Sequence, residues 1–168
     1  MAIAAQAGCA SATFYVYFRD VQDILYALSE AATEEMLVAF SRLDVFKTND
    51  RIAIDSEVFL RMMADEWTRH GAILHYRMME ADRGNPKFSR LRERWAGIVL
   101  ERFADLLSQA APTDTTLERS DFYAEGIVLF ASIERLAAAA QRDPKLPISP
   151  EKMRNAQARV LARMMERN

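Results

Sequence analysis

The residues near the start of this 168-residue chain that could take part in recognition chemistry are hydroxyls and a single guanidinium. Such groups hydrogen-bond to the phosphate oxygens and base edges of nucleic acids. On a helix, Phe14 and Phe18 would share an inward face because they are four residues apart, and their hydroxyl-bearing neighbours would point outward. The alternative is that Tyr15 and Tyr17 belong to the hydrophobic core. Ser11, Thr13, Tyr15, Tyr17 and Arg19 are therefore candidates for such contacts with DNA.

A second group of candidate binding residues is apolar and rich in methionine and aromatic side chains. Such walls adapt to varied apolar ligands, while a few polar groups orient the ligand. We expect His70 and Tyr123 to be the orienting groups, with Glu66, His75 and Glu125 as further candidates. The alternative is that these side chains simply fill the core. The predicted pocket for a small apolar ligand comprises Met63, Glu66, Trp67, His70, Leu74, Met78, Trp95, Phe103, Phe122, Tyr123 and Phe130.

The residue patterns argue against catalysis and metal binding. His70 and His75 are five residues apart rather than the four that would place both on one helical face, and Cys9 is the single cysteine. The sequence contains no G-x-S-x-G, no Walker loop and no G-x-G-x-x-G. We therefore predict neither an enzyme nor a cofactor.

The composition fits a folded protein of the cell interior. Hydrophobic residues make up 51% and charged residues 27%, so the chain can bury a core. A net charge of −2 argues against a protein held to nucleic acid mainly by bulk charge. One cysteine allows no intramolecular disulfide, and neither a signal peptide nor an apolar run of about 18 residues is present. We expect a soluble, cytoplasmic protein that does not enter membranes.

The pattern predicts an all-α fold. Good helix formers recur throughout, and apolar residues repeat at spacings of three and four. Asp20 and Ser149 are expected N-caps, as are Ser11 and either Asp114 or Thr115, and Gly71 is expected to end a helix. Gly97 and Gly126, inside predicted helices, indicate close helix approach or room for a ligand. About eight helices are predicted, over residues 2–7, 11–17, 20–43, 51–69, 73–79, 87–110, 114 or 115 to before 144, and from 150 onward.

The opening stretch carries the most specific pattern. It reads AIAAQAG, CAS and ATFYVYF, followed by RDVQDILYAL, which has the form of a helix, a turn, a second helix and the start of a long helix. It resembles the second half of the DNA-binding domain of the TetR family of bacterial transcriptional regulators, whose members read approximately IA-x-x-AG-V-S-x-G-T-[LFI]-Y-x-[YH]-F. The resemblance covers residues 2–28, and the residues that match in register are Ile3, Ala4, Ala7, Gly8, Thr13, Phe14, Tyr15, Tyr17 and Phe18.

This resemblance implies a partial helix-turn-helix domain with its connecting helix at 1–43, and a ligand-binding and dimerisation domain at 44–168. It also implies that Thr13 and Tyr17 touch the DNA backbone. The protein would be a homodimeric repressor that a small apolar ligand releases from operator DNA. In the family, the last two long helices pair with a second subunit. The expected dimer interface comprises Ile133, Ala137, Met153, Ala156, Val160 and Met164.

Several features depart from the family pattern. Ala10 stands where serine is frequent, Ala12 where glycine is common, and Val21 where the family carries lysine. The resemblance implies a first helix ahead of the present start, so we expect the coding sequence to continue upstream of Met1. The first 40 residues hold one basic residue, Arg19, against five acidic ones, which leaves little charge to bind phosphates. The alternative function is a dimeric small-molecule-binding module that no longer binds DNA.

Overall fold

The computed structural model describes residues 10–140 and 148–165, together with Gln6 and Gly8. In that part of the chain the regular structure is entirely helical, with no strand. None of the helices in these ranges has both the length and the apolar character that a membrane crossing requires. A short 3-10 turn at Asn49–Arg51 accompanies six α-helices there: α1 (Ser11–Tyr17), α2 (Val21–Leu43), α3 (Ile52–Asp82), α4 (Pro86–Ala110), α5 (Arg119–Ala140) and α6 (Pro150–Met165).

The all-α prediction is confirmed, but the expected count of about eight helices is not. The predicted helices 51–69 and 73–79 are one continuous helix, α3, which runs through Gly71. An interior glycine costs a helix about 1 kcal/mol relative to alanine. Packing outweighs that cost, because Trp67 and Leu74 on either side of Gly71 are buried in the core. The predicted helix at 2–7 lies outside the described residues except for Gln6, which is helical.

Side-chain caps mark the starts of three of the six described α-helices. At α2, the Asp23 backbone N–H donates to Asp20 Oδ1 at 2.8 Å. At α6, the Lys152 backbone N–H donates to Ser149 Oγ at 3.2 Å. Asn85 caps α4 in the same way, ahead of a proline at the first helical position. The predicted caps Asp20 and Ser149 are therefore confirmed. The other predicted caps are wrong, because Ala10 rather than Ser11 is the N-cap of α1, and α5 begins at Arg119 rather than after Asp114 or Thr115.

Helix α3 lies at the centre of the fold and packs against α2, α4, α5 and α6, while α4 packs along α5. Edge-to-face aromatic pairs join these helices, an arrangement that aromatic rings favour. The ring centroids of Phe59 on α3 and Phe103 on α4 are 5.8 Å apart, and those of Trp95 on α4 and Phe40 on α2 are also 5.8 Å apart. Among the described residues, α1 packs on none of these helices to a comparable extent.

The loop between α2 and α3 places a core residue in an uncommon backbone conformation. Phe46 has a φ of 60°, in the left-handed region that bulky residues rarely adopt, yet it is only 1% exposed. Its ring lies 5.5 Å from that of Phe59 and 5.4 Å from that of Phe103, and its backbone N–H donates to Asp55 Oδ2 at 2.7 Å. Burial and this hydrogen bond hold the conformation.

Two glycines inside helices differ in their surroundings. A Cβ built on Gly126 of α5 would lie 3.4 Å from Phe103 Cβ and 3.7 Å from Leu100 Cδ2, both on α4. A Cβ built on Gly97 would meet no atom of another element within 4 Å. Close helix approach therefore accounts for Gly126 and does not account for Gly97.

We expect Gly97→Ala to raise the free energy of unfolding by about 0.5–1 kcal/mol, because alanine favours the helix and its methyl group meets no neighbour. Gly126→Leu is the matched contrast, and we expect it to lower that free energy by about 1–3 kcal/mol through overpacking against Phe103. Urea denaturation followed by circular dichroism measures both changes. A loss of stability in Gly97→Ala would contradict the open surroundings described for Gly97.

Candidate functional site

Helix α1 sorts its side chains into an inner pair and an outer group. Phe14 and Phe18 are half-buried, with ring centroids 5.6 Å apart. Thr13, Tyr15 and Tyr17 are exposed, Tyr17 by 75%. This is the arrangement that the four-residue spacing predicts, and it does not fit the alternative in which the two tyrosines belong to the core. The outer face of α1 therefore carries hydroxyl groups.

The basic residue beside this face is engaged in an ion pair. Arg19 Nε and Nη2 donate to the two carboxylate oxygens of Asp23 at 2.7 and 2.8 Å, and the Arg19 backbone N–H donates to Asp23 Oδ2 at 3.1 Å. The side-chain and backbone hydrogen bonds from Arg19 lower the pKa of Asp23 to about 2. A neighbouring carboxylate therefore balances the Arg19 charge at neutral pH. Ser11 opens α1, and its side chain lies outside the described part.

Most of the predicted ligand-binding residues form the hydrophobic core. Trp95 packs against Phe130 with ring centroids 6.2 Å apart, and Phe103 packs against Phe46 and Phe59. The structure thus brings these side chains together as packed walls, which is the alternative that the sequence left open. The buried members are Met63, Trp67, Leu74, Trp95, Phe103, Phe122 and Phe130, and the half-buried candidates are Met78, Tyr123, His75 and Glu125.

His70 and Glu66, two of the predicted orienting groups, belong to a polar cluster between α2 and α3. His70 Nε2 lies 3.0 Å from Glu35 Oε2 and 3.7 Å from Glu66 Oε2. Glu66 is fully buried and pairs with Arg69 through its other oxygen. Within the described ranges, no group of three or more His, Cys, Asp or Glu side chains is arranged to hold a metal ion. The cluster therefore joins two helices and offers no metal site there.

A second polar cluster, absent from the sequence-based predictions, lies inside the protein. Arg77 is fully buried, its Nη1 donates to Thr33 Oγ1 at 2.8 Å, and its Nη2 lies 3.9 Å from Glu134 Oε1. Thr33 Oγ1 in turn donates to the Ser29 carbonyl oxygen at 2.7 Å. Arg77 Nε, Arg77 Nη2 and Glu134 Oε1 are buried without a hydrogen-bond partner in the described part of the chain. This Arg77 cluster (Arg77, Thr33 and Glu134) joins α2, α3 and α5.

Burial opposes ionisation in the Arg77 cluster. Desolvation lowers the pKa of Arg77 and raises the pKa of Glu134, while the attraction between the two groups opposes both shifts. The sequence signal for this cluster is weak: Leu74, Arg77 and Ala81 share one face of α3, so the arginine occupies a core position. A charged residue on an amphipathic helix is usually solvated, so the sequence pattern does not indicate that Arg77 is buried.

The raised pKa of Glu134 predicts a pH-dependent contribution to stability. Protonation of a group whose pKa is raised on folding favours the folded state, so the contribution is fully present below the usual pKa of 4.5. It is lost as the pH rises through the folded-state pKa. We expect the difference in free energy of unfolding between wild type and Glu134→Gln to favour the wild type most at acid pH and to decline towards neutrality.

Urea denaturation of both proteins between about pH 4 and pH 8 measures this difference, and working with the difference cancels the titration of groups common to both. Glu93→Gln, which alters an exposed carboxylate on α4, is the matched control. A difference that grows in favour of the wild type as the pH rises would contradict the prediction.

A cavity of about 210 Å³ lies between α3, α5 and α6. Gln157 of α6 lines it, and Gln157 Nε2 is buried without a hydrogen-bond partner in the described residues. Only one of the predicted ligand-binding residues, Met63, lines this cavity. Its apolar wall includes Leu60, Met63, Ala64, Ile133, Ala137 and Met153.

The residues predicted to form a dimer interface divide between the interior and the surface. Ile133 is 3% exposed, because the face of α5 that carries it packs on α3 and α6. The outward face of α5 instead presents Ile127 and Val128, which are 47% and 69% exposed. Of the other predicted residues, those at the surface are Val160 and Met164, and those half-buried are Ala137, Met153 and Ala156.

No protein-family model matches this chain, and no curated protein matches it. A functional interpretation therefore depends on the residues and the geometry described above.

Proposed function

We propose that this protein is a DNA-binding transcriptional regulator similar to members of the TetR family, a homodimeric repressor that a small apolar ligand releases from operator DNA. The observation that carries the proposal is the outer face of α1, where Thr13, Tyr15 and Tyr17 are exposed while Phe14 and Phe18 turn inward. The resemblance of residues 2–28 to that family supports it, because positions like Thr13 and Tyr17 touch the DNA backbone in the family, and both residues are exposed here.

Exposed apolar side chains on α5 and α6 support the proposed homodimer. Ile127 and Val128 on α5 are exposed, as are Val160 and Met164 on α6. A contiguous exposed apolar patch is typical of a surface that contacts another protein, and on this proposal the four side chains belong to one such patch. In a symmetric dimer formed through these helices, the two copies of α1 would enter successive major grooves, about 34 Å apart. A ligand that favours a different separation of the two α1 helices would release the DNA.

A second function is favoured by the charges near α1. The Arg19 guanidinium is held by Asp23, and phosphate contacts normally supply most of the nonspecific affinity for DNA. On this alternative, the protein is a dimeric small-molecule-binding module that does not bind DNA.

Equilibrium binding to duplexes that flank the gene, measured by fluorescence anisotropy over a salt series, separates the two functions. We would measure the 168-residue chain and the same chain extended by any in-frame codons upstream of Met1. The regulator predicts saturable binding by at least one of them, with log affinity falling linearly as log salt concentration rises. If neither binds a flanking duplex at low salt, DNA binding is rejected and the module is favoured.

Two variants test whether α1 makes the contact. Tyr17→Phe removes only the outward hydroxyl, so we expect affinity to fall about tenfold with an unchanged salt dependence. Asp23→Asn releases Arg19, so we expect tighter binding and a salt slope steeper by about one. Tyr123→Phe makes the same chemical change on α5 and is the control. Equal affinities for Tyr17→Phe and Tyr123→Phe would show that the Tyr17 hydroxyl does not contact DNA.

A further inference from the structure

The cavity between α3, α5 and α6 has the size and the lining of a site for a small ring compound. At about 210 Å³ it is larger than the apolar cavity of about 150 Å³ that is known to stay dry and admit benzene. Most of its lining is apolar, with methionines from two helices, Met63 and Met153. Methionine side chains adjust to guests of different shape. A benzene ring with one short substituent is therefore the class of guest that fits.

One polar group in the cavity lacks a partner. Gln157 Nε2 is buried and has no hydrogen-bond acceptor in the described part of the chain. An amide N–H that is buried without an acceptor is costly, so a guest that supplies an acceptor gains more than its apolar contacts alone would give. The cavity thus favours a guest whose substituent carries a hydrogen-bond acceptor.

The surrounding charges favour a neutral guest. No acidic side chain lines the cavity, so an ammonium group would find no counter-ion there. Arg154 lines it, but the adjoining groove that Arg154 also lines carries three carboxylates (Glu57, Asp65 and Glu151) against one further cation, Arg61, so the net charge beside Arg154 opposes an anion. A neutral carbonyl supplies an acceptor without bringing a charge into this apolar space.

We propose that this cavity binds a small neutral ring compound bearing one carbonyl group, with the carbonyl oxygen accepting a hydrogen bond from Gln157 Nε2. This inference gives the proposed release of DNA by a ligand a binding site and a ligand class. Its consequence for regulation therefore rests on the proposed function. Binding itself does not depend on DNA recognition. The site shares only Met63 with the predicted pocket, whose other members include the core residues Trp95 and Phe103.

Isothermal titration of the full chain with three probes tests the ligand class. The probes are acetophenone, ethylbenzene, which has the same size and no acceptor, and benzoate, which is an anion. We expect acetophenone to bind about five- to tenfold more tightly than ethylbenzene, which is the range expected for one hydrogen bond. Equal affinity for acetophenone and ethylbenzene, tightest binding of benzoate, or no binding of any probe would overturn the proposal.

Variants locate the site. Gln157→Met keeps the side-chain length and removes the amide, so the preference for acetophenone over ethylbenzene should fall to less than about twofold. Gln22→Met makes the same change on α2, which does not line the cavity, and should leave the preference unchanged. Ala137→Leu should abolish binding of both probes by filling the cavity, and Ala64→Leu replaces it if Ala137→Leu does not fold by circular dichroism. Retention of the preference in Gln157→Met would overturn the assignment.

A final measurement separates this inference from the proposed function. DNA affinity is measured with and without saturating acetophenone. Binding of acetophenone with unchanged DNA affinity supports the cavity site and rejects release by this ligand class. DNA binding by a protein that takes up none of the probes supports the regulator and rejects the cavity site.

Discussion

Arg77→Met is expected to lower the free energy of unfolding at pH 7 by about 3–5 kcal/mol, because it leaves the buried carboxyl group of Glu134 without its counter-ion. Glu134 lies 3.9 Å from the guanidinium and is 8% exposed, so water cannot replace the lost partner fully. The substitution also removes the hydrogen bond that Thr33 Oγ1 accepts from Arg77. Removing one member of a buried pair lowers the free energy of unfolding by far more than the whole pair contributes to it.

The double variant Arg77→Met with Glu134→Leu separates the effect of losing the ion pair from the effect of leaving one of its members without a partner. Replacing a buried ion pair by apolar groups of similar volume is often neutral, so we expect the double variant to recover most of the loss. Urea denaturation followed by circular dichroism measures all three proteins. Arg94→Met, which breaks the exposed pair with Glu34, is the control and should lose about 1 kcal/mol or less. A loss no greater than that control in Arg77→Met would contradict the prediction.

Trp95→Ala is expected to lower the free energy of unfolding by about 3–5 kcal/mol. Trp95 is fully buried and contacts Phe40 of α2 and Phe130 of α5, so its removal opens a cavity where three helices meet. Trp95→Phe should lose much less, about 1 kcal/mol or less, because it also removes an indole N–H that is buried without an acceptor in the described residues.

Circular dichroism is the appropriate probe for these variants, because one of the two tryptophans is altered and fluorescence would change for that reason alone. Leu28→Ala, at a position that is 50% exposed, is the control and should change stability by about 0.5 kcal/mol or less. Equal losses in Trp95→Ala and Trp95→Phe would contradict the expected difference between the two variants.

The sequence predicts the fold best where short-range chemistry decides. Asp20 and Ser149 mark the starts of α2 and α6, and Pro112 follows the end of α4, because a cap or a missing N–H acts within one helical turn. It predicts less where distant packing decides. Gly71 remains inside α3 because Trp67 and Leu74 on either side of it are buried. Phe46 adopts a positive φ because two rings and a carboxylate from α3 and α4 hold it.

The candidate sites divide in the same way. The inward pair Phe14 and Phe18 follows directly from helical spacing. Spacing also shows that Ile133 lies on an apolar face, but it does not tell whether that face meets the protomer itself or a second subunit. The sequence pattern does not identify Arg77 and Gln157 as candidate site residues. A polar residue points to a site only when the structure shows that one of its atoms is buried without a partner.

The central position of α3 determines how strongly its backbone amides are protected from hydrogen exchange. Its 31 residues extend about 46 Å, and it is the helix that α2, α4, α5 and α6 all share. We therefore expect its central amides to exchange hydrogen with water only on global unfolding, so that their exchange reports the global free energy of unfolding. The seven residues of α1 lack comparable packing in the described part of the chain, so their amides exchange through local fraying. Backbone protection thus falls from its highest value in α3 to its lowest in the helix that carries the outward hydroxyls.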